Sequence, residues 1–251
     1  MYLILIFGLL GLLVGGFRGL LVGLVLGYLA RGWLQRHGQQ NLGQVQAQFL
    51  DSTFAVMGAL CKADNIVTRD EIEAAEAIFK RLELTSEQRQ AAIAAFNRGK
   101  SPDFDLDLEV AKLAQVCRGR RPLLQMFLQV QLTAIAADGV LHPAEHAMLV
   151  RIARGLGFSE ADIEQLEALL RASASGPTAE QKLHDAYLAL GISAAASDEE
   201  VKRTYRRLMN QNHPDKLASK GLPESMREMA EERTRELSLA YAQIKEARQM
   251  R

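Results

Sequence analysis

Apolar and polar positions fall into four textures along the 251 residues. From Tyr2 to Ala30 apolar residues follow one another almost without interruption, and Arg18 is the single charge. As a helix this run reaches about 43 Å, longer than a hydrocarbon core of about 30 Å, so a transmembrane helix is predicted over residues 1–30. His37 to Gln48 is polar, rich in Gln and Gly and without apolar periodicity, which predicts a linker over 31–48. From Phe49 to Leu170 apolar residues recur every three to four positions. They predict helices over about 49–63, 69–82, 86–98, 105–117, 121–137, 143–156 and 160–170. Pro102, Pro122 and Pro143 fall at or near helix starts, where a missing N–H does least harm. Ser-Ala-Ser-Gly-Pro over 173–177 breaks the pattern and predicts a linker over 171–181. Helical periodicity then returns over 182–251. The chain is predicted to be all-α.

The flanks of the first run set an orientation. No charge precedes it, while Arg31, Arg36 and His37 follow, so the positive-inside tendency places the N-terminus outside and the rest in the cytosol. A cleaved leader is disfavoured, because no basic residue precedes the run and no small-x-small site closes it. Gly11, Gly15, Gly19, Gly23 and Gly27 repeat every four residues. Such a stripe lets two helix backbones approach closely and makes a homodimer through the membrane helix a candidate. Arg18 lies beside it, and a charge near mid-bilayer costs about 2.5–3.5 kcal/mol.

Charge changes this picture only regionally. The net charge is zero, yet residues 1–48 carry +3, residues 49–170 carry −5 and residues 182–251 carry +2. No segment is basic enough to argue for nucleic acid as a partner. Cys61 and Cys117 are the two cysteines, each within an apolar helical pattern. A disulfide framework and a zinc site are both disfavoured, and a reducing compartment fits.

Within 49–170 an internal repeat appears at an offset of 74 residues. Ala63-Asp64-Asn65-Ile66-Val67 aligns with Ala137-Asp138-Gly139-Val140-Leu141. Glu71 then aligns with Glu145, Ile78 with Ile152, Leu82 with Leu156 and Thr85 with Ser159. Two helical hairpins, each apolar on one face, would pack into a single core. The repeated Ala-Asp-Asn/Gly turn followed by Glu resembles the TerB-like domain family. That resemblance implies a helical bundle and raises metal binding by Asp64, Glu71, Asp138 and Glu145. The residues themselves favour helix capping, since neither turn has the carboxylate density of an EF-hand loop. No metal and no cofactor is expected. The alternation Asp103-Phe-Asp-Leu-Asp-Leu-Glu109 reads as a helix entry that suits the helix dipole.

The last seventy residues carry the sharpest motif. A helix expected over about 180–190 ends at Gly191, a natural left-handed cap. Ser197-Asp198-Glu199-Glu200 starts a second helix that runs to about Asn212, burying Val201, Tyr205 and Leu208. Its other face holds Lys202, Arg203, Arg206 and Arg207, which lead into His213-Pro214-Asp215-Lys216. A long last helix, expected from Glu224, would pack Leu237, Tyr241 and Ile244 on the second. This order resembles the J domain of Hsp40 (DnaJ-type) co-chaperones, an antiparallel helical hairpin plus a short helix. The resemblance implies that the four cations, the His-Pro-Asp tripeptide and Lys216 bind Hsp70 (DnaK), and that the tripeptide triggers its ATP hydrolysis. Asn212 stands where many J domains have an aromatic, and the segment after His-Pro-Asp is longer than usual.

The order of anchor, middle region and terminal domain also resembles membrane-anchored bacterial DnaJ-like proteins along nearly the whole chain. The implied function is a co-chaperone at the inner membrane, with lipid and Hsp70 as partners and no chemistry of its own. His213 and Asp215 lack a nucleophile nearby in sequence, and no Gly-x-x-x-x-Gly-Lys-Ser/Thr phosphate loop occurs. The alternative is a membrane scaffold or a stress or metal sensor acting through the TerB-like region.

Overall fold

The computed structural model describes residues 2–62, 78, 80, 82, 84–136, 142–173 and 178–250. The side chains at 2–4, 8, 11–19, 21, 23, 27, 29–41 and 173 lie outside the description. All regular structure among the described residues is helical. The chain divides into two units, Met1–Val45 and Gln46–Arg251.

Helix α1 is Tyr2–Leu60. In the first unit several of its described apolar side chains stand exposed, among them Leu5, Leu9, Val22 and Val25. Among the described residues no helix is long and apolar enough to cross a membrane. The glycine stripe at 11, 15, 19, 23 and 27 and the side chain of Arg18 lie outside the described residues. The linker expected over 31–48 is helical instead. Its Gln, Ala, Leu and Arg residues are good helix formers, and the penalty of about 1 kcal/mol each for Gly38 and Gly43 does not outweigh them. Polarity marked this segment as a surface but did not forbid a helix.

In the second unit, the end of α1 packs against α2 (Ser86–Gly99). A Cβ on Gly99 would lie 1.8 Å from the Ala55 carbonyl oxygen, and one on Gly58 would lie 2.1 Å from that of Phe96. Only glycine permits backbones this close. Four helices follow: α3 (Leu106–Val116), α4 (Arg121–Ile135), α5 (Pro143–Gly155) and α6 (Glu160–Ser173). Their bounds lie close to those the periodicity predicts. Of the helix expected over 69–82, only Ile78, Lys80 and Leu82 fall within the described residues. The core gathers Phe49, Phe54, Met57, Leu113, Leu123, Phe127 and Leu149, all fully buried, with Phe49 and Phe127 edge to face at 6.2 Å.

The repeat is visible in the packing. Ile78 and Leu82 are buried, as are Ile152 and Leu156, and in each pair the second amide donates to the first carbonyl at 3.0 Å. Thr85 then caps α2 through the Gln88 amide, and Ser159 caps α6 through the Asp162 amide, each at 3.3 Å. The turns at 63–67 and 137–141 lie outside the described residues. The acidic entry to α3 behaves as expected at Asp105, which accepts the Leu108 amide at 3.0 Å. Glu109 goes further: it is buried, and its Oε1 accepts from Ser52 Oγ at 2.7 Å and Gln48 Nε2 at 3.2 Å. Cys61 and Cys117 are buried, and burial pushes the Cys117 thiol up to about 11.

The C-terminal part begins with α7 (Ala179–Leu190), capped by Thr178 and ended by Gly191 at φ 66°. The Ile192 amide reaches back to the Tyr187 carbonyl at 3.1 Å and closes a Schellman motif. Helix α8 (Asp198–Asn212) starts at Ser197, whose Oγ accepts the Glu200 amide. Helix α9 (Pro214–Ser219) and a 3-10 turn (Glu224–Met226) precede α10 (Arg227–Ala247). Tyr205 stacks on Tyr241 at 4.1 Å while Met209 meets Ser238, so α8 and α10 run antiparallel. Val201, Leu208, Leu190, Leu237 and Ile244 form their buried seam. Ala168 and Leu169 of α6 belong to the same apolar cluster. The middle bundle and the terminal hairpin therefore share part of one core despite the break over 173–177.

Candidate functional site

The site is the junction of α8 with α9. Thr204 and Leu208 face inward, which turns Arg203, Arg206 and Arg207 out to solvent and leaves Lys202 half-buried. Arg207 Nη1 donates to Gln211 Oε1 at 3.2 Å, one turn further on. Like charges four residues apart repel by a few tenths of a kcal/mol. Such spacing therefore offers the helix nothing by itself, and its value lies in the field it projects.

His213 ends one helix and begins the next. Its backbone, at φ −58° and ψ 131°, leaves helical geometry, and Pro214 takes the first position of α9. The His213 Nδ1 accepts the Asp215 amide at 3.2 Å. In the neutral ring this assigns the remaining proton to Nε2. The tripeptide is thus a capped helix start. Asp215 fits the first turn for the same reason, since a carboxylate there complements the helix dipole.

Pro214 is buried while the side chains of His213 and Asp215 stay 55% and 67% exposed, so the proline anchors and its neighbours are presented. Asp215 Oδ1 accepts from Arg227 Nη2 at 2.9 Å. Arg227 also approaches Glu231 at 3.3 Å and Glu224 at 3.8 Å. The hydrogen bond to Asp215, with its charge, holds the Arg227 guanidinium above its ordinary range. Lys216 Nζ donates to Asn210 Oδ1 and so folds back onto α8.

The long segment after His-Pro-Asp has a definite job. Leu222 donates to the Leu217 carbonyl at 2.9 Å and Gly221 to that of Ala218 at 3.0 Å, with Gly221 at φ 107°. This second Schellman motif turns the chain sharply, and Leu217, Leu222 and Pro223 are buried beneath it. Asn212, in the place of an aromatic, is fully buried and donates to the Leu208 carbonyl at 2.8 Å.

The four cations singled out in the sequence lie along the middle of α8, and the tripeptide follows its C-terminal end. Arg227 lies twelve residues beyond Asp215, and nothing in local periodicity signals that the two pair. Of the four carboxylates raised for metal, Asp64, Glu71 and Asp138 lie outside the described residues. Glu145 is buried and its Oε2 accepts the His142 amide at 3.1 Å, a capping role.

An all-helical bundle followed by a capped His-Pro-Asp junction on a cationic helix defines a J-domain protein. Residues 185–250 match the DnaJ domain, and residues 51–168 match the family described as Tellurite resistance protein TerB. Co-chaperone protein DjlA of Photobacterium profundum is 42% identical over 262 residues, covering 94% of this chain and of that one. The protein of the same name from Coxiella burnetii is 36% identical over 258 residues, covering 96% of each. That of Vibrio cholerae serotype O1 is 41% identical over 221 residues, 80% of this chain and 78% of that one. No solved structure matches. The chain belongs to the DjlA co-chaperone family.

Proposed function

We propose that this chain is a membrane-anchored co-chaperone that recruits Hsp70 (DnaK) to the cytosolic face of the inner membrane and stimulates its ATPase through the His-Pro-Asp junction. The observation that carries this reading is the exposure of His213 and Asp215 on a buried Pro214, directly after the exposed arginines of α8. A positive strip attracts an acidic patch on a partner and speeds encounter, and the rigid helix start then presents the same two side chains each time. The chain itself does no chemistry: its product is a changed state of the partner.

Membrane anchoring is supported by the exposed apolar side chains of Leu5, Ile6, Phe7, Leu9, Leu10, Val22, Val25 and Leu26, which lie along a continuous backbone helix. Exposed apolar surface of that extent favours lipid over water. The N-terminus lies in the periplasm on this reading, and the glycines at 11, 15, 19, 23 and 27 form the face of a homodimer. Tethering holds the partner near membrane clients and raises its effective concentration there.

The test uses the full chain in lipid vesicles with a bacterial Hsp70. Steady-state ATP turnover rises severalfold on addition of the chain, and His213→Gln abolishes the rise. Equal stimulation by wild type and variant sinks the reading.

A further inference from the structure

A cavity of about 280 Å³ opens where the middle bundle meets the terminal hairpin. Arg121 of α4, Arg207 of α8 and Arg233 of α10 all line it, against the single carboxylate of Asp162. Asp162 is already committed. It pairs with Arg121 at 3.0 Å and accepts from the Ser159 amide and hydroxyl at 2.8 and 2.7 Å.

Arg233 makes the cavity unusual. It is 5% exposed, and no hydrogen-bond acceptor reaches its Nε. Its Nη1 donates to Gln129 Oε1, a neutral amide, while Gln129 Nε2 turns to Glu236 Oε2 at 2.8 Å. A guanidinium has five N–H donors in a planar fork. Burial disfavours its charge, and the group sits below its usual range, at about 10. Glu236, one turn along the same helix, offsets this only in part.

We propose that this cavity binds a small phosphate-bearing anion, held between Arg121 of the middle bundle and Arg207 and Arg233 of the terminal hairpin. A phosphate offers acceptors in the geometry the arginine fork matches, and its charge would compensate the buried cation. The volume lies just below the usual range of small-molecule pockets, about 300–1,000 Å³, which suits a phosphomonoester and excludes a polypeptide segment. The amides of Gln125 and Gln211 complete a polar lining. Because the ligand touches both parts, it cements their contact and occupies Arg207, one of the cations assigned to partner docking. That consequence rests on the proposed function, whereas the binding does not.

Isothermal titration calorimetry on the full chain in detergent, with inorganic phosphate and then glycerol phosphate at constant ionic strength, tests the site without any Hsp70 present. Saturable binding at one site per chain is expected for at least one of the two, weakened at least tenfold by Arg121→Gln and abolished by Arg233→Met. Arg121 lies at the surface, so Arg121→Gln keeps the test decisive should the Arg233 variant misfold. Heat that matches a sodium chloride control, or saturable binding unchanged in Arg121→Gln, overturns the proposal.

Discussion

The middle bundle and the terminal hairpin are built from the same element, yet they differ in the side chains that fill their cores. In the bundle the largest buried side chains are Phe49, Phe54 and Phe127, and two backbones touch at Gly58 and Gly99. Polar groups are buried in both parts, among them Ser52, Glu109 and Gln131 in the bundle and Asp185, Asn212, Arg233 and Glu236 in the hairpin. Arg248 ties the end of α10 to the loop before α8 by donating to the carbonyls of Ala194 and Ala196, both at 2.6 Å. Apolar packing tolerates small shifts, whereas hydrogen bonds between fixed partners do not. The hairpin carries the candidate docking side chains, and its last helix is held at its end by directional contacts.

Truncating the bundle's centre gives the largest expected effect. Phe127→Ala should lower unfolding stability by about 3–5 kcal/mol, read as a fall in the urea midpoint with unchanged slope. Ring loss costing under about 1 kcal/mol would mean that the bundle does not rest on this core. Next is the polar contact between the two parts. Gln129→Leu removes the acceptor from buried Arg233 and should cost about 1–3 kcal/mol, the penalty for stranding a buried donor. Equal stability of the variant would show that this polar contact does not hold the two parts together.

A pH effect of smaller size follows from Asp162. Burial alone would raise its carboxyl, but hydrogen bonds from Ser159 and the nearby Arg121 more than reverse this and hold it below the ordinary 3.8. A group depressed on folding stabilises above its unfolded value and loses that contribution as pH falls through the lower folded value. Urea midpoints at pH 7 and pH 3 should therefore converge more closely in Asp162→Asn than in wild type. The smallest effect is expected at Arg227→Ala. Stability should not change measurably, while Hsp70 stimulation drops by up to about fivefold, the range a screened surface pair can supply. An unaltered ATPase response would show that Asp215 needs no partner within its own chain.

Most helices were legible because each carries its own signals. Ser197, Thr178 and Gly191 mark ends in a way that periodicity alone does not, and the 74-residue repeat is mirrored by Thr85 and Ser159. The helix through 31–48 was not legible, since a polar surface helix and a polar linker share a composition. The start of α9 at Pro214 was hidden for a related reason: proline signals both the end of one helix and the first position of the next. The contacts of Arg233 with Gln129 span 104 residues. Nothing local marks Arg233 and Glu236 as buried, and only tertiary packing turns them inward.

Sharing Ala168 and Leu169 with the terminal cluster has a practical consequence for anyone cutting the chain. A fragment begun after residue 178 would leave Leu190 and Leu237 without their α6 neighbours and put greasy surface into water. Lengthening the stretch over 174–177, by contrast, should be absorbed as slack, because the hairpin is seated by side chains rather than by the reach of its connection. Fragment boundaries drawn at the composition break would therefore divide what the packing holds as one piece.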